Sequence, residues 1–254
     1  MAARAGHGDV TGPGGRGRQE GPGRQDGPGR QDGPGQLDGS GRPGGRGRPR
    51  GRGGTVGTAS SSTASRVLDA AERLVQVRGF NGFSYADIAA ELRITKASLH
   101  YHFATKADLG EALINRYSIR FFEALAAVDA RGGTAPVKLA AYAKLYSDVL
   151  SEQRMCLCGM LAAEYPTLPL PMQAAVVGFF DHNEGWLQEV LEQGRDEGSL
   201  AFTGPAAGTA RMIVSGLEGA MLVTRPYGDA ARFQVAAASL LASLTAPADG
   251  AYRA

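Results

Sequence analysis

The stretch SYADIAAELRITKASLHYHF, Ser84–Phe103, holds two short helices and the turn between them. Ser84 carries the side-chain oxygen of an N-cap, and Asp87, three residues on, suits the positive end of a helix. Ile88, Ala89 and Leu92 then give about two turns with one apolar face. Thr95 is a second N-cap, followed by a short helix in which Leu99 and Phe103 face inward. Upstream, Val67, Leu68, Ala71, Leu74 and Val75 recur at three- and four-residue spacing, and Gly79 stops that helix. A longer helix followed by two short ones across a tight turn is the arrangement of a helix-turn-helix.

Downstream the same apolar spacing predicts helices near 105–130, 135–153, 155–165, 170–197, 205–224 and 229–245. Gly132-Gly133, the prolines from Pro166 to Pro171, Gly198 and Pro226-Tyr227-Gly228 separate them. No alternating run is long enough for a sheet, so the expected fold is all-α. It divides into a disordered tail over 1–62, a three-helix DNA-binding head over 63–108 and a helical effector-binding and dimerisation domain over 109–254.

The tail differs in kind from the rest. Residues 1–64 hold 21 of the 37 glycines and ten arginines against five acids. Residues 21–38 repeat as GPGRQD, GPGRQD, GPGQLD, with almost nothing apolar to bury, which predicts disorder. The mild overall net charge of +2 therefore belongs to the tail. DNA binding by the folded part needs a local patch rather than a global basic field. Arg46-Gly47-Arg48-Pro49 resembles an AT-hook core, in which arginines enter a narrow minor groove, so Arg46 and Arg48 are accessory DNA-binding candidates.

The second short helix has the chemistry of a DNA reader. Thr95, Lys96 and Ser98 are compact donors for phosphates and base edges. His100, Tyr101 and His102 add donors and flat groups, and Ser84 and Tyr85 stand at the start of the preceding helix. Lys106 opens the next helix, where ammonium and backbone N–H groups together suit a phosphate. These segments, Phe80–Ala89 and Ile94–Leu109, resemble the N-terminal signature of the TetR family of transcriptional regulators. The resemblance implies a sequence-specific DNA-binding regulator, a repressor released by a small ligand or cysteine modification, acting as a homodimer on operator double-stranded DNA. Two positions depart from the family pattern. Arg93 replaces the usual turn glycine, so it must adopt a left-handed backbone or shift the turn. His100-Tyr101 is a swapped pair, which removes any ground for borrowing a relative's operator.

Two cysteines, Cys156 and Cys158, give no disulfide framework and suit a reducing cytoplasm. The CLCGMLAAE segment that they begin is similar to that of the electrophile- and oxidant-sensing, N-ethylmaleimide-repressor-like TetR subgroup. A thiol at a helix start gains thiolate character and hence reactivity, with Arg154 nearby. Equally, Cys, Leu and Met on one helix make ordinary core. An internal Cys156–Cys158 bridge is unfavourable, because residues two apart on a helix point to different sides.

Tyr142, Tyr146, Glu164, Tyr165, His182, Asn183, Trp186 and Arg211 are polar groups within the apolar body. Tyr146, Phe179, His182 and Trp186 are spaced to line an effector cavity or to fill it as core. Gly208, Ser215, Gly216, Gly219 and Ala220, mixed with Met212, Ile213, Leu217 and Met221, allow close helix approach. With Val235, Ala238, Leu241 and Leu244 they predict a four-helix dimer interface.

No catalytic spacing, cofactor loop or complete metal-ligand set is present, so no enzyme activity, cofactor or metal is expected. No apolar run reaches membrane-spanning length, and a cytoplasmic protein without a membrane partner is expected. The competing class is an architectural nucleic-acid-binding protein acting through the Arg/Gly tail.

Overall fold

The computed structural model describes residues 62–245. The tail, with Arg46 and Arg48, lies outside the described residues. Among the described residues nine α-helices follow in order: α1 (Thr63–Arg78), α2 (Tyr85–Leu92), α3 (Lys96–His102), α4 (Lys106–Arg131), α5 (Ala135–Ser151), α6 (Leu157–Ala163), α7 (Leu170–Asp196), α8 (Ala206–Thr224) and α9 (Ala230–Ala242). Among the described residues the only extended pairing is one bridge between Leu200 and Thr245. No described helix is long and apolar enough to cross a membrane.

The helix starts are set by local side-chain chemistry. Ser62 Oγ accepts from the Ser65 amide at 3.2 Å, and Thr95 Oγ1 from the Ser98 amide at 3.1 Å. Thr105 and Asp108 exchange two bonds, Thr105 N to Asp108 Oδ2 at 2.9 Å and Asp108 N to Thr105 Oγ1 at 3.1 Å. Each such cap is worth about 1 kcal/mol. Without them, helices as short as α2 and α3 would be marginal.

Packing supplies the remainder. Val67, Ala70, Ala71, Leu74, Val75, Phe83, Ile88 and Leu99 bury the faces of α1, α2 and α3 against one another. Phe121, Tyr142, Tyr146, Phe179 and Trp186 form an aromatic seam among α4, α5 and α7, with neighbouring ring centroids 5.2–6.1 Å apart. One hydrophobic cluster spans head and effector region, and α4 runs unbroken across the expected boundary at residue 108. On the α1–α4 surface, the nearly buried Glu72 is held by Arg116 at 3.0 Å and Arg120 at 2.5 Å. Breaking such a pair costs more than forming it gains, because a lone buried charge remains.

The expected dimer residues divide into a buried set and an exposed set, with Ala220 and Leu241 half-buried between them. Ile213, Leu217, Met221 and Leu244 are buried within the chain's own core. Gly208, Met212, Ser215, Gly216, Gly219, Val235 and Ala238 are exposed. The division has a simple cause: residues three and four apart on a helix share a face, so Ile213, Leu217 and Met221 form the stripe packed inward, and Gly208, Met212, Ser215 and Gly219 form another that faces outward.

Candidate nucleic-acid interface

Leu99 is fully buried and Phe103 half-buried, and together they hold α3 down on α1 and α2. That leaves Thr95, Lys96, Ala97, His100, Tyr101 and His102 exposed, with Ser98 half-buried. Tyr101 is 86% exposed and lies edge-on to His102, centroids 5.2 Å apart. A large aromatic so open to water lacks a packing role within the chain and suits base or sugar contact. His100 is steadied from below: its Nδ1–H donates to the Ala104 carbonyl at 3.0 Å, and its ring lies 4.9 Å from that of Tyr85. Nδ1 must be the protonated nitrogen, since a carbonyl only accepts, which leaves Nε2 for an outside partner.

Arg93 resolves the turn. It adopts the left-handed conformation, φ 54° and ψ 45°, and the following Ile94 amide bonds to the Ala89 carbonyl at 3.0 Å. The turn therefore keeps its shape without glycine, at a conformational cost of about 1 kcal/mol.

Three of the expected DNA-contact residues have partners within the chain. The Lys106 ammonium donates to the Phe80 carbonyl at 2.5 Å and the Phe83 carbonyl at 2.6 Å, lying over both rings. Burial lowers its pKa, partly offset by Glu164 and Asp87. Its ammonium ties the α1–α2 loop to α4. The Tyr85 hydroxyl reaches the carbonyls of Phe103 at 2.9 Å and Thr105 at 2.6 Å, fixing the α3–α4 corner, and burial pushes its pKa up to about 12. Ser84 donates from both N and Oγ to Asp87 Oδ2, at 2.7 and 2.6 Å, and those bonds hold the Asp87 carboxyl below its ordinary range. These residues position α3 against α2 and α4.

The effector region meets the head at one end of α1. Glu164, just past α6, accepts from the Phe80 amide at 2.6 Å and the Asn81 amide at 3.3 Å. Gly79, at φ +82°, makes room for it: a Cβ there would lie 2.5 Å from Glu164 Oε1. The Met155 amide donates to the Gln76 carbonyl at 3.3 Å, and Arg225 reaches the Val77 carbonyl. Glu164 is visible in the sequence as a polar residue in an apolar segment, but nothing there names its partners 83 and 84 residues away.

Cys156 and Cys158 are buried free thiols. Cys156 is the N-cap of α6, where a helix start alone would favour thiolate, yet its pKa is raised well above the ordinary value. Burial is the main cause, and the Glu218 carboxyl beside it adds to the rise. Desolvation and a like charge thus oppose the thiolate character that a helix start would favour. Burial also raises Glu218, to about 7. Sequence analysis missed both Glu218 and Tyr117, whose hydroxyl lies 3.7 Å from Cys156 Sγ.

Of the four expected cavity residues, Tyr146, Phe179 and Trp186 are buried in the core. Tyr146 donates to Tyr142 at 3.0 Å, Tyr142 to Asn183 Oδ1 at 3.0 Å, and Asn183 Nδ2 to the Phe179 carbonyl at 2.7 Å. Trp186 donates to Asp129 Oδ2 at 2.7 Å and stacks on Tyr142. His182 is exposed and stacked on Phe122, centroids 3.7 Å apart, so it stands outside the core. A cleft of about 370 Å³ does open among α1, α4 and α5, lined by Gln76, Tyr117, Phe121, Leu145 and Arg154 among others.

Comparison with known proteins agrees with this geometry. Residues 67–113 match the family described as bacterial regulatory proteins, tetR family, and residues 135–240 match the tetracyclin repressor-like C-terminal domain. A solved TetR-family transcriptional regulator from Agrobacterium tumefaciens is 34% identical, with a TM-score of 0.70 over 72% of this chain and 97% of that one. The transcriptional regulator AcuR of Cereibacter sphaeroides is 28% identical over 65% of this chain and 76% of its own. The HTH-type transcriptional repressor NemR of Escherichia coli is 25% identical over 59% of this chain and 78% of its own.

Proposed function

Because this chain belongs to the TetR family of bacterial regulatory proteins, we propose that it is a cytoplasmic, homodimeric repressor that reads operator DNA with α3. The observation that carries this reading is the outward row of Thr95, Lys96, His100 and Tyr101 on a helix anchored by Leu99. Such a helix enters the major groove with its N-terminal residues at base edges, while backbone amides and compact donors grip phosphates. Two copies must place their α3 helices about 34–36 Å apart to meet successive major grooves.

The surface for pairing is the outward stripe of α8, with Gly208, Met212, Ser215, Gly219, Leu222 and Val223, beside Val235 of α9. Met212, Leu222, Val223 and Val235 are 46–67% exposed in the single chain, an apolar patch that a second copy would cover. Release from DNA follows binding of a small ligand or modification at Cys156, which displaces α6. Glu164 carries that displacement to Phe80 and Asn81, and so changes the separation of the two heads.

Selection of bound sequences from random duplex DNA by the purified full chain tests the proposal. Enrichment of a palindromic site, bound by a dimer in sedimentation, supports it. Recovery of no sequence preference contradicts it.

A further inference from the structure

Two turns of the effector region reach the C-terminal end of α1, and a cleft of about 380 Å³ is lined by both. One turn joins α5 to α6. There Gln153 holds a left-handed backbone, φ 58°, and the chain doubles back so that the Arg154 amide bonds the Val149 carbonyl at 3.2 Å. Arg154 and Met155 then meet α1. Arg154 Nη1 donates to Gln76 Oε1 at 3.3 Å, and the Met155 amide to the Gln76 carbonyl at 3.3 Å. The other turn joins α8 to α9. Its Arg225 donates from Nη2 to the Val77 carbonyl and from Nη1 to Met160 Sδ at 3.3 Å.

The lining combines cationic and apolar groups. Arg154 and Arg225 bring their guanidiniums to the cleft, and Asp229 is the acid among its lining residues. Asp229 Oδ1 already accepts from the Ala231 amide at 3.0 Å, as the N-cap of α9. Arg154 pairs with Glu152, whereas Arg225 has no carboxylate partner among the described residues. A thioether and a single carbonyl are weak substitutes for the planar carboxylate that a guanidinium fork fits. Leu150, Met155 and Ala230 supply apolar wall. A site of this size and mixture takes a compact ligand with an apolar body and one anionic group.

We propose that this cleft binds small monocarboxylates, with the carboxylate on Arg225 and the hydrocarbon against Leu150, Met155 and Ala230. This deepens the reading of a ligand-released repressor, and rests on it for the effect on DNA. The Nη groups that hold Val77 and Met160 are the ones that a bidentate carboxylate takes. A bound carboxylate therefore draws the guanidinium away from α1, and the ligand favours the arrangement in which the head is untied from the α8–α9 turn. That differential affinity is what a release signal needs. Carboxylate and operator then weaken each other's binding by the same factor.

Calorimetry on the purified full chain tests the site, with butyrate, hexanoate, octanoate and benzoate as probes, each against its own amide. At least one carboxylate is expected to bind with a Kd below about 1 mM, and about tenfold or more tighter than its amide. Arg225→Gln is expected to weaken that carboxylate about tenfold or more and to leave the amide unchanged. Where Arg225→Gln does not fold, Ser151→Glu, which adds a like charge to the exposed rim, is expected to weaken it about fivefold. No carboxylate bound below about 1 mM, or none preferred over its amide, overturns the site. Affinity within about twofold of wild type in the folded variant does the same. The bound carboxylate is also expected to weaken wild-type binding to its selected DNA about fivefold or more, with Arg225→Gln unresponsive. Operator affinity unchanged at saturating carboxylate overturns the coupling. If the wild-type chain selects no DNA sequence, the repressor reading fails, while calorimetry still decides the cleft.

Discussion

The Glu164 carboxylate, at the end of α6, lies 2.6 Å from the backbone nitrogen of Phe80, two residues past the end of α1. The same side chain accepts from the Asn81 amide, and the Lys106 ammonium binds the Phe80 carbonyl from the opposite side. The loop between α1 and α2 is therefore held between the effector region and the start of α4. Glu164→Ala leaves two amides without their acceptor and should cost about 2–3 kcal/mol in unfolding free energy. It should also weaken the effect of an effector on operator affinity while leaving the preferred DNA sequence unchanged. Urea unfolding and fluorescence anisotropy with selected DNA check both parts.

Lys96 and Lys106 are predicted to separate cleanly. Lys96 is exposed on α3, so Lys96→Ala should leave stability within about 0.5 kcal/mol and weaken DNA binding. If it meets a phosphate, the slope of log K against log salt falls by about 1. Lys106→Met removes the donor to two loop carbonyls and should lower stability by about 2 kcal/mol, with that slope unchanged. Salt titrations of both variants, with their thermal melts, distinguish the DNA contact from the internal brace.

Arg93 holds a left-handed backbone that costs a side-chain-bearing residue energy. Arg93→Gly relieves that cost, and should raise stability by roughly 0.5–1 kcal/mol in denaturant unfolding. Its DNA sequence preference should stay the same, because the turn is already in the shape that glycine would favour.

Glu218 predicts a direction for the pH dependence of stability. Its carboxyl titrates at about 7 in the fold against an ordinary value of 4.5, so the folded chain holds the proton more tightly. The stability that a neutral Glu218 contributes is complete below about pH 4.5, and is lost as pH rises through about 7. Melting temperatures should fall over that window, by the equivalent of at most roughly 3 kcal/mol from this group. Glu218→Gln should flatten this part of the profile.

How far the sequence reveals this architecture depends on whether the cause is local. Ser84, Thr95 and Gly79 mark helix ends within a few residues of themselves, and the observed bounds of α1 to α3 follow. The downstream helices were equally legible, because Gly and Pro separate long apolar stripes. Lys106 is different: an ammonium at a helix start serves a phosphate or a carbonyl equally well, and its carbonyls come from the loop before α2. Cys156 shows the same limit, since the helix start is visible locally but Glu218 stands 62 residues away. His182 shares the helical stripe of Phe179 and Trp186, yet it lies at the border of that stripe, over Phe122. Side-chain pairs brought together by tertiary packing are what periodicity cannot supply.

The most direct measurement is operator binding by the Lys96→Ala/Tyr101→Ala double variant. Both side chains point away from the core, so its circular dichroism and melting should match wild type within about 0.5 kcal/mol. Anisotropy with the DNA selected by the wild-type chain, against scrambled DNA of equal length, is expected to show the preference for the selected site lost. A preference retained at wild-type strength in this folded variant would contradict the assignment of α3 as the helix that reads the operator.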